Sequence, residues 1–322
     1  MAIYTRLPLP TATRLAAPFG LSIVKVKGLI AGSVNSNFAL TTEYGGLVFA
    51  RIYEEQDTTG ARAEVTLLDW LSGRGLQVVR PLRSGDGEAV VTYEGKPMAF
   101  FPWVAGQSRC QATVGEGDTR KVGAALARIH LAGSPEPRPG RFRVADLRTR
   151  CEHITAHGDD HGHGLSAWGA RLAEAIAAVE ARRHPDAHRG LCHGDLFRDN
   201  VLWQGDTLAA LLDFESAAEE RFAFDLAVTV LAWTYGDDFS PPLARALVAG
   251  YEEVRPLPPA DREALFAEAQ LAALRFTVTR VTDYAMRAHL KANTGRDFGR
   301  FWARYEALEA MGPAGWSALL GL

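Results

Sequence analysis

The chain has 322 residues, of which 47% are hydrophobic and 23% are charged at neutral pH. This composition is typical of a folded globular protein and excludes a chain that is disordered throughout, and the length favours two domains over one. The formal net charge of −3 excludes the overall basic surface with which many proteins bind nucleic acid.

Cysteine usage and the lengths of apolar runs indicate the compartment. The three cysteines, Cys110, Cys151 and Cys192, lack the spacing of a disulfide or zinc framework, so we expect reduced thiols. No apolar run reaches the ~18 residues that a membrane-spanning helix needs, and the first residues lack the apolar stretch of a secretion signal. We therefore expect a cytoplasmic protein with no membrane and no nucleic-acid partner.

Residues 1–102 predict a small lobe that is rich in β-structure. Runs of β-branched and aromatic residues alternate with glycine-containing turns, which is typical of an antiparallel sheet. Between them, the apolar stripe of Val65, Leu68 and Leu71 predicts one main helix over residues 61–71. The predicted strands cover residues 21–30, 37–42, 47–53, 89–93 and 97–103.

Residues 103–322 predict a larger lobe that is mostly helical. Apolar residues recur there at helical spacing in one segment after another, and short apolar runs around residues 190–212 predict a hairpin with its turn at Gly205 and Asp206. The fold class is therefore α+β with two lobes. The predicted helices cover residues 118–130, 166–182, 222–235, 242–253, 261–274 and 276–290.

Three oxygen-bearing side chains follow one another at a characteristic spacing. Asp195 lies in the segment His193-Gly-Asp-Leu-Phe-Arg-Asp-Asn200, five positions before Asn200, and Asp213 lies eighteen positions after Asp195. In kinases of the protein-kinase type, one Asp accepts the proton of the attacking hydroxyl, while an Asn and a second Asp hold magnesium on the nucleotide phosphates. We therefore predict a two-lobed protein-kinase-like fold that uses ATP and Mg²⁺. Asp195 is the candidate catalytic base, and Asn200 and Asp213 are the candidate metal ligands.

The same tripeptide occurs a second time, as His157-Gly158-Asp159, and serves as a control. Five positions after Asp159 stands a glycine, and no apolar hairpin follows, so this copy lacks the rest of the kinase pattern. The four histidines between residues 153 and 163 offer metal ligands, but glycines loosen the backbone and no cysteine pair completes a zinc pattern. We expect a solvated loop.

Two segments of the first lobe are candidates for binding the nucleotide. The loop of residues 32–38 is rich in small polar residues, and Ser33 and Asn35 are its candidate phosphate contacts. An ordinary hairpin loop is the alternative. Arg51 stands where this fold normally carries a lysine that binds the phosphates, and Glu64 on the following helix is its candidate partner. The alternative is a half-exposed strand arginine that pairs with residue 54 or 55.

Three further polar residues flank the motif. Asp225 opens an apolar helix, where an acid caps the helix N-terminus, and it is also placed to brace the catalytic loop. His193 is expected to hold that loop by hydrogen bonds. Glu215, two positions after Asp213, is expected in a solvated turn, and approach to a metal is the alternative. Asp225 is interpreted as a structural residue.

The segment of residues 193–202 resembles the signature of bacterial homoserine kinases in the aminoglycoside phosphotransferase and choline kinase superfamily. Residues 196–199 distinguish these kinases from most relatives, and residues 274–284 resemble the late helix of the family. The resemblance implies phosphorylation of the hydroxyl of L-homoserine by ATP with magnesium, a step of threonine biosynthesis. A small amino acid needs a cation for its carboxylate and an acid for its ammonium group, and Arg198, Arg280 and Asp283 are the candidates.

Other acceptors and one non-catalytic role stay open at this point. The same chemistry serves an aminoglycoside, choline or another amino alcohol, and the acidic pairs at 159–160 and 219–220 would suit a cationic acceptor. For Arg280 and Asp283, a surface ion pair is the alternative to substrate binding. A pseudokinase that binds nucleotide without transfer is the remaining hypothesis, and Arg51 is the feature in its favour.

Overall fold

The computed structural model describes residues 4–29, 34–140, 142–288 and 297–322, and the chain divides into two compact units. The first unit comprises Met1–Gln107 and Leu202–Glu215, and the second comprises Ser108–Val201 and Ser216–Leu322. Each unit has its own buried core. The domain boundary expected between residues 102 and 103 stays a prediction.

The first unit is built on a five-stranded antiparallel sheet in the order β1-β2-β3-β5-β4. Its strands match the five predicted ones within a few residues at each end. They are β1 (Ile23–Gly28), β2 (Ser36–Thr42), β3 (Leu47–Ile52), β4 (Val90–Tyr93) and β5 (Lys96–Pro102).

Alternation along β3 decides which side chains enter the core. Val48, Ala50 and Ile52 are buried with Phe38 and Phe100 in the hydrophobic core on one face of the sheet. Because successive side chains of a strand point to opposite faces, Arg51 lies on the other face. The core face is completed by helix α1 (Leu9–Ala16), which the sequence analysis missed.

Helix α2 (Thr58–Gly73) and a hairpin complete the first unit. The α2 N-terminus is capped by Asp57, whose carboxylate accepts a hydrogen bond from the Gly60 N–H at 2.8 Å. Strands β7 (Val201–Gln204) and β8 (Thr207–Leu211) pair as a two-stranded sheet. Gly205, at φ 56°, forms the turn between them with Asp206, so the predicted hairpin is confirmed.

The second unit is mostly helical, as predicted. The two helices expected over 261–274 and 276–290 are wrong in detail, because one helix runs through Arg275 to Arg280 and continues as a π-helical turn, Val281–Ala285. Strands β6 (Arg189–Cys192) and β9 (Ala218–Arg221) pair antiparallel. Its helices are α3 (Glu116–Ala132), α4 (Val144–His157), α5 (Ser166–Glu180), α6 (Phe222–Thr234), α7 (Pro241–Glu252), α8 (Pro259–Arg280) and α9 (Gly299–Leu320).

Helices α3 and α7 approach each other closely through two glycines. A Cβ atom on Gly123 would lie 1.9 Å from the Leu247 carbonyl oxygen, and one on Gly250 would lie 2.0 Å from the Arg120 carbonyl oxygen. Both distances are far inside van der Waals contact, so only glycine permits this packing. The contact sets the distance between the helices that carry His130 and Tyr251, two residues of the site described below.

The structure also bears on the cysteines and on membrane-spanning helices. Cys151 and Cys192 are buried free thiols, whereas Cys110 is exposed and also free. Within the described part of the chain, every helix is too short or too polar to cross a lipid bilayer.

Candidate functional site

The segment that carries Asp195 and Asn200 begins with a sharp turn in the second unit. It follows β6 directly, and Gly194 takes a φ of 76°, which favours glycine. A Cβ atom there would also lie 2.8 Å from the Ser216 carbonyl oxygen. The chain then forms one 3₁₀ turn over Arg198–Asn200 before it enters β7. The glycine is therefore required both by its backbone angle and by the close approach of another segment.

Asp225 braces this turn from helix α6. Its buried carboxylate accepts hydrogen bonds from the backbone N–H groups of His193 at 2.6 Å and Gly194 at 2.8 Å. The expected brace is confirmed, but the expected helix cap is wrong. Helix α6 begins after Arg221 without a side-chain cap, and Asp225 instead satisfies donors of a loop about thirty residues earlier.

A buried hydrogen-bond network holds Asp225 in turn. The ring of His130 contacts the Asp225 carboxylate through Nε2 at 3.1 Å and the Tyr251 hydroxyl through Nδ1 at 2.7 Å. Burial lowers the pKa of His130, so the ring is neutral and Nε2 donates to the carboxylate. Burial alone would raise the pKa of Asp225, but hydrogen bonds from His130 and the backbone hold it below its ordinary value. The brace is thus an ionised carboxylate.

His130, Asp225 and Cys192 place their ligand atoms within 4.8 Å of one another. A metal ion does not fit this group, because both ring nitrogens of His130 are already engaged. The Cys192 thiol donates to the Glu220 carbonyl oxygen at 3.4 Å. The group is a structural support for the turn.

Asp195 and Asn200 lie side by side. The Asn200 Nδ2 donates to the Asp195 carbonyl oxygen at 2.7 Å and lies 3.4 Å from its Oδ2. In this orientation the other amide atom of Asn200, the acceptor oxygen Oδ1, points away from Asp195. The Asp195 backbone N–H lies 3.3 Å from Nδ1 of His193, so the loop-holding role expected for His193 is confirmed.

A buried cation lies near Asp195 that the sequence analysis missed. Nη1 of Arg275, on α8, is 3.7 Å from Oδ1 of Asp195, and the Arg275 side chain is only 5% exposed. Burial lowers the pKa of Arg275 to about 10, so the guanidinium remains charged at neutral pH. The sequence signal that could have identified Arg275 was a single arginine between Leu274 and Phe276, inside an apolar helical run.

In the first unit, Arg51 lies among three carboxyl groups. Its Nη1 is 3.6 Å from Glu64, 3.7 Å from Asp213 and 3.8 Å from Glu215, and the side chain is mostly buried. Burial would lower the pKa of Arg51, but the three carboxylates raise it above the ordinary arginine value. The expected pairing with Glu64 is present. The alternative pairing with Glu54 is wrong, because Glu54 bonds to Lys96.

Glu215 differs from the solvated turn that was expected. It is buried, accepts a hydrogen bond from Nδ2 of Asn35 and lies in the 3₁₀ turn Phe214–Ser216. Burial raises the pKa of Glu215 to about 7, against the opposing charge of Arg51. Asn35 also accepts from the Glu54 backbone N–H at 3.2 Å, so both ends of its amide are engaged within the unit. Ser33 lies outside the described residues.

Asp213 follows β8 in an unusual backbone conformation. Its φ of 64° is left-handed, a region that non-glycine residues enter at some cost and that Asp tolerates better than most. Its side chain is 39% exposed, unlike those of Glu64 and Glu215. Backbone strain of this kind clusters at functional sites. Asp213 therefore offers an accessible carboxylate beside Arg51.

The residues expected to bind the acceptor all lie in the second unit. Arg198 donates to the Ala232 carbonyl oxygen at 2.5 Å and to the Gln111 side chain at 3.3 Å. Arg280 donates to the Asp297 carbonyl oxygen at 2.9 Å and lies over the Phe301 ring.

Asp283 pairs with a residue that the sequence analysis did not consider. Its carboxylate accepts a hydrogen bond from Nη1 of Arg150 at 2.7 Å, so the alternative ion pair between Arg280 and Asp283 is wrong. Arg150 and Asp283 both line a cavity of about 570 Å³ in the second unit. His153 and His157 line the same cavity together with His161. The loop expected from residue 153 is wrong as far as His157, because α4 continues to that residue.

Two of the acidic residues considered for a cationic acceptor, Asp159 and Glu220, have partners within the unit. Asp159 accepts hydrogen bonds from the backbone N–H and the hydroxyl of Ser166 at the start of α5. Glu220 forms an ion pair with Arg183 at 3.2 Å. Neither carboxylate is left over to attract a polycation. No metal-ligand group among the described residues includes the histidines between residues 153 and 163.

Comparisons with known proteins show the family of the chain. Residues 25–265 match the family described as "Phosphotransferase enzyme family". A homoserine kinase of Methylobacterium radiotolerans is 34% identical over 93% of this chain and 99% of its own length. A homoserine kinase of a Caulobacter species is 35% identical over 88% of this chain and 89% of its own length.

Solved structures with low sequence identity share the fold. The spectinomycin phosphotransferase APH(9)-Ia superposes with a TM-score of 0.71 at 13% identity, covering 96% of this chain and 100% of that one. Choline kinase of Cryptosporidium parvum gives 0.66 at 12% identity, covering 93% and 94%. The kinase-like α+β fold is therefore confirmed. The family match and the homoserine kinase relatives confirm an enzyme that transfers a phosphoryl group to a hydroxyl. The chain belongs to the phosphotransferase enzyme family.

Proposed function

We propose that this chain is an ATP-dependent kinase that converts L-homoserine to O-phosphohomoserine. One observation carries the proposal: curated relatives that match nearly the whole chain at 34% and 35% identity are homoserine kinases. The segment around Asp195 supports it, because that segment is held by backbone hydrogen bonds in the way that a fixed catalytic loop requires. Threonine biosynthesis and a cytoplasmic location stay predictions.

Asp195 is the proposed catalytic base. The acceptor hydroxyl oxygen attacks the γ-phosphorus of ATP, a new O–P bond forms, and the bond from that phosphorus to the bridging oxygen of ADP breaks. The hydroxyl proton passes to the Asp195 carboxylate. Two features suit the residue to this role: Asn200 and His193 fix its backbone, and the nearby guanidinium of Arg275 favours its ionised form.

Asn200 and Asp213 are the proposed magnesium ligands. The donor set fits the ion, because magnesium prefers hard oxygens and Asn200 turns Oδ1 outward while Asp213 keeps an accessible carboxylate. In the first unit, one guanidinium faces the three carboxyl groups of Glu64, Asp213 and Glu215. Carboxyl groups outnumber cations there, which favours binding of a metal cation. When bound, the ion neutralises charge on the nucleotide phosphates.

Arg51 is the proposed phosphate contact in place of the usual lysine. Its Nε is buried and makes no hydrogen bond, while Glu64 and Asp213 lie beside Nη1. A guanidinium offers five donors, so it can retain a carboxylate on one edge and bind an anion on another. Ser33 and Asn35 remain proposed contacts of the nucleotide loop.

Asp283 is the proposed partner of the acceptor's ammonium group, because its carboxylate lies on the wall of the 570 Å³ cavity. Arg198 and Arg280 remain weaker proposals for the carboxylate, because both guanidinium groups already donate to backbone carbonyl oxygens. An aminoglycoside or choline as acceptor is the alternative, and the engaged acidic residues Asp159 and Glu220 speak against it.

A panel assay tests the proposal. Purified protein is supplied with ATP, Mg²⁺ and one acceptor at a time: L-homoserine, choline, ethanolamine or spectinomycin. We expect ADP release with L-homoserine to exceed that with every other acceptor, and to be lost in Asp195→Asn. Asp186→Asn is the matched control, because Asp186 is exposed and is not part of the lining of the cavity that Asp283 lines. Equal turnover in wild type and Asp195→Asn would contradict the assigned base.

A further inference from the structure

Arg275 is held rigidly in the interior of the second unit. Its guanidinium carbon lies 4.2 Å from the centroid of the Phe142 ring and 3.9 Å from that of Phe276. Two cation–π contacts of this length hold the planar group, whose N–H donors point outward along its edges. The group is therefore fixed in orientation, with its N–H donors confined to one plane.

One of these donors is not satisfied within the protein. Nη1 of Arg275 is buried and makes no hydrogen bond, and its distance of 3.7 Å to Asp195 exceeds hydrogen-bond length. A buried guanidinium that lacks a full set of acceptors carries a desolvation cost, which a native protein usually offsets with a ligand or partner. The unfilled donor lies on the side of the proposed catalytic base.

The charged groups around Arg275 are of both signs. Arg150 lies close enough to lower the pKa of Arg275, in addition to the larger effect of burial. Arg150 is itself bonded to Asp283 and to the hydroxyl of Thr282, on the wall of the cavity. Two guanidinium groups and two carboxylates, Asp195 and Asp283, thus lie within reach of one another, a pattern that complements a small zwitterion.

We propose that Arg275 binds the carboxylate of the acceptor and selects hydroxy amino acids over carboxylate-free amino alcohols. This inference rests on the proposed function, with Asp195 as the base. A guanidinium edge matches a carboxylate in shape and charge, and in a short hydroxy amino acid the carboxylate lies only a few bonds from the hydroxyl. Choline and aminoglycosides carry no carboxylate, so they leave the buried donor unfilled.

The test compares two acceptors that differ only at the carboxylate, L-homoserine and L-homoserine amide. The value measured is the ratio of their kcat/KM values on one preparation, which does not depend on the fraction of folded enzyme. We expect the ratio to fall by about 10- to 100-fold in Arg275→Gln, the value of one charge-assisted hydrogen-bonded contact. Arg275→Lys is expected to retain part of the preference, because it keeps the charge but loses the paired N–H donors of the guanidinium.

The matched control is Arg304→Gln. Arg304 is also a buried arginine of the second unit, stacks on Tyr235 and Phe301, and donates to the Leu231 carbonyl oxygen at 3.1 Å. Its loss is expected to lower stability but to leave the acceptor ratio at the wild-type value.

Three outcomes separate this inference from the proposed function. If Arg275→Gln lowers kcat/KM for both acceptors by the same factor, the residue acts through Asp195 and the inference is overturned. An unchanged ratio at wild-type activity also overturns it, while homoserine kinase activity in wild type would stand. If the wild-type enzyme prefers choline or another carboxylate-free acceptor, both the proposed function and the inference fail.

Discussion

Replacement of Asp225 by asparagine tests the structural support of the catalytic loop. The Asp225 carboxylate accepts from two backbone N–H groups, at 2.6 and 2.8 Å, and from His130 at 3.1 Å. An asparagine is nearly the same size but has a single acceptor oxygen. If its NH₂ group replaced Oδ1, it would face the Gly194 N–H, and if it replaced Oδ2, it would face both the His193 N–H and Nε2 of His130.

The expected cost follows from these hydrogen bonds. Each charge-assisted hydrogen bond contributes about 1.5–3 kcal/mol, and a buried donor left without an acceptor costs about 1–3 kcal/mol. Because the asparagine removes at least one hydrogen bond and leaves at least one donor unsatisfied, we expect Asp225→Asn to destabilise the protein by about 3–5 kcal/mol. This is a large part of the roughly 5–15 kcal/mol that a domain typically has.

The assay is urea unfolding followed by tryptophan fluorescence, with kcat measured on the folded protein. We expect a lower unfolding midpoint and a lower kcat, because the turn before Asp195 loses its anchor. Asp160→Asn makes the same chemical change at an exposed residue and should alter stability by less than about 1 kcal/mol. An Asp225→Asn variant as stable as Asp160→Asn would refute the reasoning.

Three further predictions concern packing, pH dependence and metal binding. Gly123→Ala should destabilise the protein by about 1–3 kcal/mol, because its Cβ would lie 1.9 Å from a carbonyl oxygen of α7. Gly117→Ala on the same helix meets nothing within 4 Å, and equal urea midpoints for the two variants would contradict the packing account. Burial holds the pKa of His130 below its unfolded value of about 6.5, so wild-type stability should fall as pH drops from 7.5 to 5.5 while the unfolded state gains a proton. His130→Gln should show a smaller fall over that range, and an identical fall would count against the neutral buried histidine. Asp213→Asn should need more Mg²⁺ for half-maximal turnover, and an unchanged titration would argue against its role as a ligand.

The features that sequence analysis predicted are those set by local order. Asp195 and Asn200 lie within one short segment, so their proximity follows from a single turn and needs no knowledge of the rest of the fold. The β7–β8 hairpin has its own turn signal at Gly205. The five strands of the first unit follow from alternation and glycine punctuation.

The features that were missed depend on contacts between distant segments. Glu215 was expected in solvent, but it is buried against Asn35, which is 180 positions away in the sequence. Arg275 fell between two predicted helices, because a cation in an apolar run carries no local sign of the Phe142 ring that stacks on it. Asp225 had the general position of a helix cap, and only the tertiary approach of the loop shows what it binds.

Product analysis of the wild-type enzyme tests the central claim most directly. The protein is incubated with ATP, Mg²⁺ and L-homoserine, and phosphorus NMR with mass spectrometry follows the products. The account predicts O-phospho-L-homoserine formed in equal amount to ADP, with neither product above background in Asp195→Asn. ADP without a phosphorylated amino acid, or O-phosphohomoserine formed equally well by Asp195→Asn, would contradict it.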